Sequence, residues 1–249
     1  MTNYASTKTV PSNQQKGAKV IKVPLKDQSG RYKLGSATRP HIKHDNGFMD
    51  QFQKRDPTRS EEMALLKWRA KLNGAKLLRP DLIDATEAYE YFLDGTGKNR
   101  RINYSKYLQD DKNGIKTLKT VINDFKSHAE IIGQHRTKFD ITSEIYPAGS
   151  DPMLLPYPNT ENWQKAIGAH IVWVSANIEI SFDTKKGKDI YKASMILHME
   201  DMYNFNPGAK DIATGIPDSE NGVFEVTGLG KQYLNFAEVP VQIQWHEGE

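Results

Sequence analysis

A long alternation of apolar and polar residues near the C-terminus constrains the fold of this chain more than any other feature. Every second residue from 172 to 182 is apolar, and most residues between them are polar. Because side chains alternate between the two faces of a strand, this pattern predicts a strand with one buried face. The polar run 183–188 then predicts a hairpin loop, and apolar residues at every second position from 191 to 199 predict the returning strand.

A last strand is predicted at the C-terminus, where Val239, Val241, Ile243 and Trp245 alternate with more polar residues. Pro240 lies inside this run and has no backbone N–H to give to a neighbouring strand. It therefore predicts an edge position.

Upstream of these strands the periodicity is helical. Apolar residues recur every three or four positions from Ile115 to Ile132, which predicts an amphipathic helix that ends at Gly133. Thr58 and Glu61 have the spacing of a capping box and predict a helix from there to Gly74, with apolar residues that include Met63, Leu66, Ala70 and Leu72. A second capping signal, residues 84–87, predicts another helix that ends at Asp94.

Helices followed by strands, without alternation of the two, predict an α+β fold in which an N-terminal helical part packs with a C-terminal antiparallel sheet. We expect three segments: a basic and flexible extended arm over residues 1–56, a helical subdomain over 57–160 and a β-rich subdomain over 161–249. Within the arm, only residues 20–25 and 32–34 have the pattern of strands.

The composition removes several classes of function. The 249 residues include no cysteine, which excludes disulfides, thiol catalysis and cysteine metal sites. No apolar run is long enough to span a bilayer, and the first 20 residues lack the apolar centre of a secretory signal. We therefore expect a protein made in the cytoplasm and exported by a specialised secretion system. Motifs for nucleotide cofactors or a nucleophile elbow are missing from the sequence.

Charge is unevenly distributed. Residues 1–60 hold 12 basic and 4 acidic side chains, whereas the remainder holds 22 basic and 27 acidic ones. A basic head suits nucleic acid, an anionic membrane surface or an acidic loading partner, and a solvated arm without a partner is the plain alternative. The acidic body disfavours nucleic acid as the main ligand.

The returning strand ends in acidic, aromatic and amide side chains, and this end is the best candidate for a functional site. Glu200 and Asp201 are followed by Tyr203, Asn204, Phe205, Asn206 and a Pro-Gly turn, and further carboxylates follow at positions 211, 218, 220 and 225. Loops at strand ends are where a rigid scaffold carries function. These carboxylates are dense enough to bind Mg²⁺ or Ca²⁺ or for acid–base work. The plain alternative is a turn with core aromatics and a hydrated acidic loop. His198 is the one histidine placed near these acids.

The segment Asp201-x-Tyr203-x-Phe205-Asn206, which leaves a strand and precedes a helix-like segment and a closing strand, resembles the active-site segment of the colicin M family. The wider stretch from 196 to 233 also resembles C-terminal modules of bacterial polymorphic toxins and proteins that accompany type VI secretion. The colicin M resemblance implies an antibacterial toxin that splits lipid II, a membrane-anchored peptidoglycan precursor, by Mg²⁺-dependent phosphoester hydrolysis.

The same resemblance implies the site residues. Asp201, helped by Glu200 or Asp211, would hold the metal or orient water, with Asp201 and Asp211 as metal ligands, and Tyr203 would contact the phosphate or the leaving oxygen. The family has a second acid where this chain has Asn204, and a His-Arg pair near Lys210 and Asp211. An amide brings no charge to Mg²⁺. Either the chemistry differs, or the fold serves binding or membrane action.

The leading hypothesis from the sequence is an antibacterial effector that acts on the envelope of a competing bacterium. Its expected partners are a cognate immunity protein, a secretion-system loading partner and a lipid-linked substrate at a membrane surface. Two alternatives stay open. One is a non-enzymatic effector that permeabilises membranes through the helix from Ile115 to Ile132 and the basic arm, or binds a partner. The other is an immunity or adaptor protein of a toxin system.

Overall fold

The computed structural model describes residues 30–149 and 154–249. The predicted strand over residues 20–25 and the first half of the predicted arm lie outside these ranges. Within them the α-helices are α1 (Arg59–Leu78), α2 (Ile83–Leu93), α3 (Tyr104–Asp110), α4 (Lys112–Gly133), α5 (Glu161–Ala166) and α6 (Ser219–Thr227). Short 3₁₀ turns cover Gly47–Asp50 and Pro80–Leu82.

The strands form one mixed sheet, and most of its neighbours are antiparallel. They are β1 (Tyr32–Leu34), β2 (Arg100–Arg101), β3 (Lys138–Ser143), β4 (Tyr146–Gly149), β5 (Leu155–Pro156), β6 (His170–Asp183), β7 (Lys188–Tyr203) and β8 (Tyr233–His246). The main order across the sheet is β1-β3-β6-β7-β8-β2, while β4 pairs with β6 and β5. The predicted α+β class is confirmed.

The predicted hairpin forms the centre of the sheet. β6 and β7 pair from Ile171 opposite Glu200 to Asp183 opposite Lys188, around the turn at residues 184–187. β7 then pairs with β8 along its whole C-terminal part, so that Tyr203 lies opposite Tyr233. Among the residues that the structure describes, β2 covers β8 only at Asn235 and Phe236. Within these ranges Pro240 therefore lies on an edge strand, as its missing N–H predicts.

α4 packs its apolar stripe on the buried face of the sheet. Val121, Phe125 and Ala129 are fully buried in the main core together with inward residues of β6 and β7. The core thus draws on both the predicted helical and the predicted β-rich segment. Because this stripe is core, α4 does not present it to a membrane in the folded protein. No helix within the described ranges is long and apolar enough to cross a bilayer.

The two N-terminal helices differ in detail from their predicted forms. α1 begins at the predicted capping box, in which the backbone N–H of Thr58 donates to Glu61 Oε2 at 2.7 Å, but it continues past Gly74 to Leu78. α2 begins at Ile83 without a side-chain cap. The predicted cap residue Asp84 instead accepts hydrogen bonds from Lys106 at 2.5 Å and Asn162 at 2.7 Å, so its carboxylate joins α2 to α3 and α5.

The second half of the predicted arm is docked on the body. β1 pairs with β3, and Ile42 packs with Trp173 on the face of the sheet opposite the main core. Farther along, Phe48 lies so close to α6 that an added Cβ at Gly222 would stand 2.1 Å from its ring. Residues 30–56 therefore belong to the folded unit.

Two helical glycines give a matched test of this packing. A Cβ at Gly114 of α4 would lie 2.0 Å from the backbone oxygen of Tyr107, whereas a Cβ at Gly74 of α1 would meet nothing within 4 Å. We expect Gly114→Ala to lower the free energy of unfolding by roughly 1–3 kcal/mol. Gly74→Ala should raise it by about 0.5–1 kcal/mol through helix propensity. Urea unfolding of both variants checks this, and equal effects of the two would contradict the packing of α3 on α4.

Candidate active-site pocket

A cavity of about 300 Å³ opens at the C-terminal end of β7. Its walls come from the end of β7, the loop over residues 206–218, and parts of α1, α2 and α5. Apolar side chains form most of the lining. Three carboxyl groups, those of Asp201, Asp211 and Asp218, interrupt it together with Lys165.

Asp201 is held by the strand next to it. It lies opposite Asn235 of β8, and the Asn235 amide donates a hydrogen bond to Asp201 Oδ2 at 3.1 Å. Only 7% of Asp201 is exposed. Burial raises the pKa of its carboxyl well above the ordinary value, and the nearby charge of Asp45 adds to this shift. Asp201 therefore holds its proton to higher pH than an ordinary aspartate, which suits it to donate a proton.

Asp218 and Asp211 stand on the loop and differ in charge state. Asp218 accepts a hydrogen bond from the backbone N–H of Asn206 at 3.0 Å, and burial raises its pKa to about 6. Burial also opposes the charge of Asp211, but hydrogen bonds from Thr214 and the ammonium of Lys165, 3.1 Å away, make its pKa lower than usual. The pocket thus holds a carboxyl with a strongly raised pKa, a second carboxyl with a pKa of about 6 and an ion pair.

Two tyrosines stand among these three carboxyls. Burial raises the pKa of both Tyr157 and Tyr203, and the charges of Asp201, Asp211 and Asp218 raise each pKa further. Both phenols therefore keep their protons near neutral pH and can donate hydrogen bonds. The Tyr203 ring is fixed by stacking on Tyr233, with centroids 5.1 Å apart.

Asn204 has a structural reason to be an amide. Its side-chain N–H donates to the carboxyl of Asp45, and its Oδ1 accepts from the side chain of Asn206 at 3.2 Å. An aspartate at 204 would face Asp45 with like charge and without a donor. The acid that the colicin M family has at this position would therefore be unfavourable here.

Glu225 supports the same segment from α6. Its Oε1 accepts a hydrogen bond from the backbone N–H of Phe205 at 2.8 Å, and it is 4% exposed. Burial raises the pKa of Glu225 to about 8, against the opposing effect of the hydrogen bond from Phe205. The residues after the end of β7 are thus held by buried carboxyls on two sides.

Glu200 does not share the pocket with Asp201. Arg39 donates to both of its carboxyl oxygens at 2.6 Å, and His44 lies 3.2 Å from Oε2. Burial opposes its charge, but these hydrogen bonds and charges lower the pKa of Glu200 to about 2. Adjacent residues of a strand point to opposite faces, so Glu200 and Asp201 are separated by the sheet. Of the predicted site residues, the pocket brings together Asp201, Tyr203, Asn204 and Asp211.

The predicted divalent metal does not fit these donors as they stand. Asp201 accepts a hydrogen bond from Asn235, and Asp211 accepts hydrogen bonds from Thr214 and pairs with Lys165. Within the described ranges no three or more histidine and acidic side chains come together in an arrangement that could hold a metal ion. Mg²⁺ therefore stays a prediction from the sequence, and no step is assigned to it.

His198 belongs to a different constellation, on the opposite face of the sheet. Its Nε2 lies 2.9 Å from Ser175 Oγ, and its Nδ1 lies 3.9 Å from Glu238. Burial lowers its pKa, and its ring stacks on Trp173 with centroids 3.6 Å apart. All three groups stand on the paired strands β6, β7 and β8. This is a cross-strand polar cluster.

Sequence reasoning did not find several residues that line the pocket or contact its lining. Tyr157 and Lys165 come from the region around α5, and Asn235 comes from β8. Asp45 comes from the N-terminal segment that was expected to be an arm. Asp218 was counted among the acidic residues, without a role. No local motif marks these positions, because long-range packing alone brings them to the end of β7.

Comparison with known proteins gives little similarity. No protein-family model matches this chain, and no curated protein matches it. A weak structural neighbour is PaeM, a colicin M-like bacteriocin produced by Pseudomonas aeruginosa, with 13% sequence identity and a TM-score of 0.39 over 67% of this chain. The chain spans about half of the PaeM chain, 52% of its length. A TM-score of this size does not establish a common fold.

Glu225 predicts a pH dependence of stability. Its ordinary pKa of 4.5 is raised to about 8 in the folded protein, so the folded state keeps a proton that the unfolded state loses between these values. The contribution of Glu225 to the free energy of unfolding is fully present below pH 4.5. It falls as pH rises to 8, by up to about 1.4 kcal/mol per pH unit. Glu225→Gln should therefore lose less stability than the wild type between pH 5 and pH 8.

Urea unfolding at several pH values measures this difference. Glu220→Gln, an exposed position on the same helix, is the matched control and should follow the wild type. Parallel pH profiles for Glu225→Gln and wild type would show that Glu225 has an ordinary pKa.

Proposed function

We propose that the pocket is the active site of an antibacterial effector that hydrolyses a phosphoester in a lipid-linked peptidoglycan precursor. The observation that carries the proposal is the presence of two buried carboxyls with raised pKa, those of Asp201 and Asp218, in the wall of one pocket. Strongly perturbed carboxyls in a cavity are typical of acid–base catalysis. The resemblance of the segment from Asp201 to Asn206 to the colicin M active-site segment supports the substrate class.

The two carboxyls suit opposite roles in hydrolysis. Asp218, largely ionised above pH 6, takes a proton from water, and the water oxygen attacks phosphorus. The bond between phosphorus and the leaving oxygen breaks, and protonated Asp201 gives its proton to that oxygen. The products are an alcohol and a phosphate monoester or diphosphate. Water then exchanges the proton from Asp218 back to Asp201, which restores the resting state.

The remaining polar groups suit substrate binding. Tyr157 and Tyr203 keep their phenolic protons and can donate hydrogen bonds to phosphate oxygens. Lys165 and Lys71 bring positive charge to the pocket, and Asp211 and Glu161 share the charge of Lys165. The apolar share of the lining suits an amphipathic ligand.

An effector of this kind requires two protein partners. The producing cell needs a cognate immunity protein, and delivery needs a loading partner of a secretion machine, for which type VI secretion is our proposal. Co-expression with the neighbouring small genes tests for the immunity protein, since the gene that rescues growth encodes it. Delivery is tested by loss of target-cell killing when the secretion machine is disabled.

Expression in a susceptible bacterium tests the proposed activity. We expect wild-type protein directed to the periplasm to stop growth, whereas Asp201→Asn and Asp218→Asn should be harmless. Asn is close in shape to a protonated carboxyl, so both variants should keep the melting temperature of the wild type or exceed it. Asp189→Asn, at the other end of β7, is the matched control and should stay toxic. Full toxicity of both pocket variants would contradict the proposal.

Purified protein and a lipid-linked phosphoester substrate separate chemistry from toxicity. Loss of either the general base or the general acid should lower kcat by about 10² to 10⁴-fold. The acid limb of the pH profile should have its midpoint near 6 in the wild type and be absent in Asp218→Asn. Activity that disappears on addition of a chelator and returns with Mg²⁺ would favour the metal-dependent chemistry that the sequence predicts.

A further inference from the structure

α1 exposes an apolar stripe on the side that faces away from the body. Met63, Leu66 and Leu77 are 65%, 59% and 82% exposed, and with Ala70 their spacing places them on one face of the helix. Leu78, at 80% exposure, extends the apolar surface at the C-terminal end of the helix. Single exposed leucines are normal, but several large apolar side chains on one helix face, interrupted here by Asn73 and Gly74, mark an interaction surface.

The fold does not need this stripe. The opposite side of α1 already packs on the body, where Leu72 is buried and Leu65 and Trp68 are partly buried against Phe92 and Phe224. α1 is therefore apolar on two sides, of which one is structural. The residues that first predicted a helix from the sequence, Met63, Leu66 and Ala70, are on the outward side.

Basic side chains flank the stripe. α1 holds five basic residues and two acidic ones, and both acids are in its first turn. Lys67 and Lys71 follow one flank, while Arg69 and Lys76 follow the other. Lys71 lies over the Trp68 ring at 3.8 Å, and neither Lys67 nor Lys71 has an ion-pair partner within the described ranges. An apolar stripe between lysines is complementary to a surface with an apolar interior and negative headgroups.

We propose that the outward face of α1 docks this protein on an anionic lipid bilayer. The inner side of α1 lines the pocket through Trp68, Lys71 and Leu72, so docking would place the pocket behind the helix that contacts the bilayer. Other binding partners complement the basic flanks of this face less well. Residues 1–29 hold five lysines and one acid, so they are repelled by these flanks, and a second copy of α1 would set basic flank against basic flank. The proposal stands whether or not the pocket hydrolyses a phosphoester.

Vesicle binding by the full chain tests the proposal. We expect binding to phosphatidylcholine vesicles that contain phosphatidylglycerol and little binding to phosphatidylcholine alone. Leu66→Gln with Leu77→Gln should weaken binding at least about tenfold, since two exposed leucines lose their burial in lipid. Lys67→Gln with Lys71→Gln should weaken binding and make it less sensitive to salt.

A control variant removes two exposed apolar side chains from another helix. Ile115→Gln with Ile131→Gln changes two exposed residues of α4 and should leave binding unchanged, as should Asp201→Asn. Equal binding by wild type and the leucine variant would overturn the proposal. So would a concentration-dependent dimer of the wild type, in sedimentation without lipid, that the leucine variant abolishes, because the stripe would then be an interface between copies.

Discussion

The antiparallel pairing of β7 with β8 is the constraint on which the rest of this structure depends. Its register runs from Ile190 opposite His246 to Tyr203 opposite Tyr233, so the end of β7 cannot move without breaking a long ladder. That register sets Asp201 beside Asn235 and stacks Tyr203 on Tyr233. A shift of one residue would send Asp201 to the face that now holds Glu200. Strand pairing therefore decides which acid is in the pocket.

The partner of each buried acid then decides its charge state. Glu200 is paired with Arg39 and is charged, whereas Asp201 is paired with a neutral amide and holds its proton. The difference follows from the partner, because both side chains are largely withdrawn from water. The pKa of Asp218 lies between those of Glu200 and Asp201, and its partner is a backbone N–H. The pocket thus combines carboxyls with different pKa values, which is the arrangement that the proposed hydrolysis uses.

Periodicity in the sequence was sufficient to predict the hairpin and α4, since both have long, regular apolar patterns. Periodicity did not predict which side of α1 is buried, because that helix is apolar on two sides. It also did not predict where α1 ends, because the helix continues through Gly74, where the outward surface leaves room. Asp201 and Tyr203 could be predicted as neighbours in the pocket because they are two apart on one strand. The same alternation separates Glu200 from Asp201, and combining them was an error of strand geometry. Tyr157, Lys165 and Asp45 come from distant segments, and nothing local marks them.

The most direct test is a ¹³C NMR titration of the aspartate carboxyls, with Asp201→Asn and Asp218→Asn to assign the two signals. The account predicts that Asp218 titrates near pH 6 and that Asp201 stays protonated through neutral pH. Titration of both groups near pH 4, as in unfolded chains, would contradict the assignment of an acid and a base to this pocket.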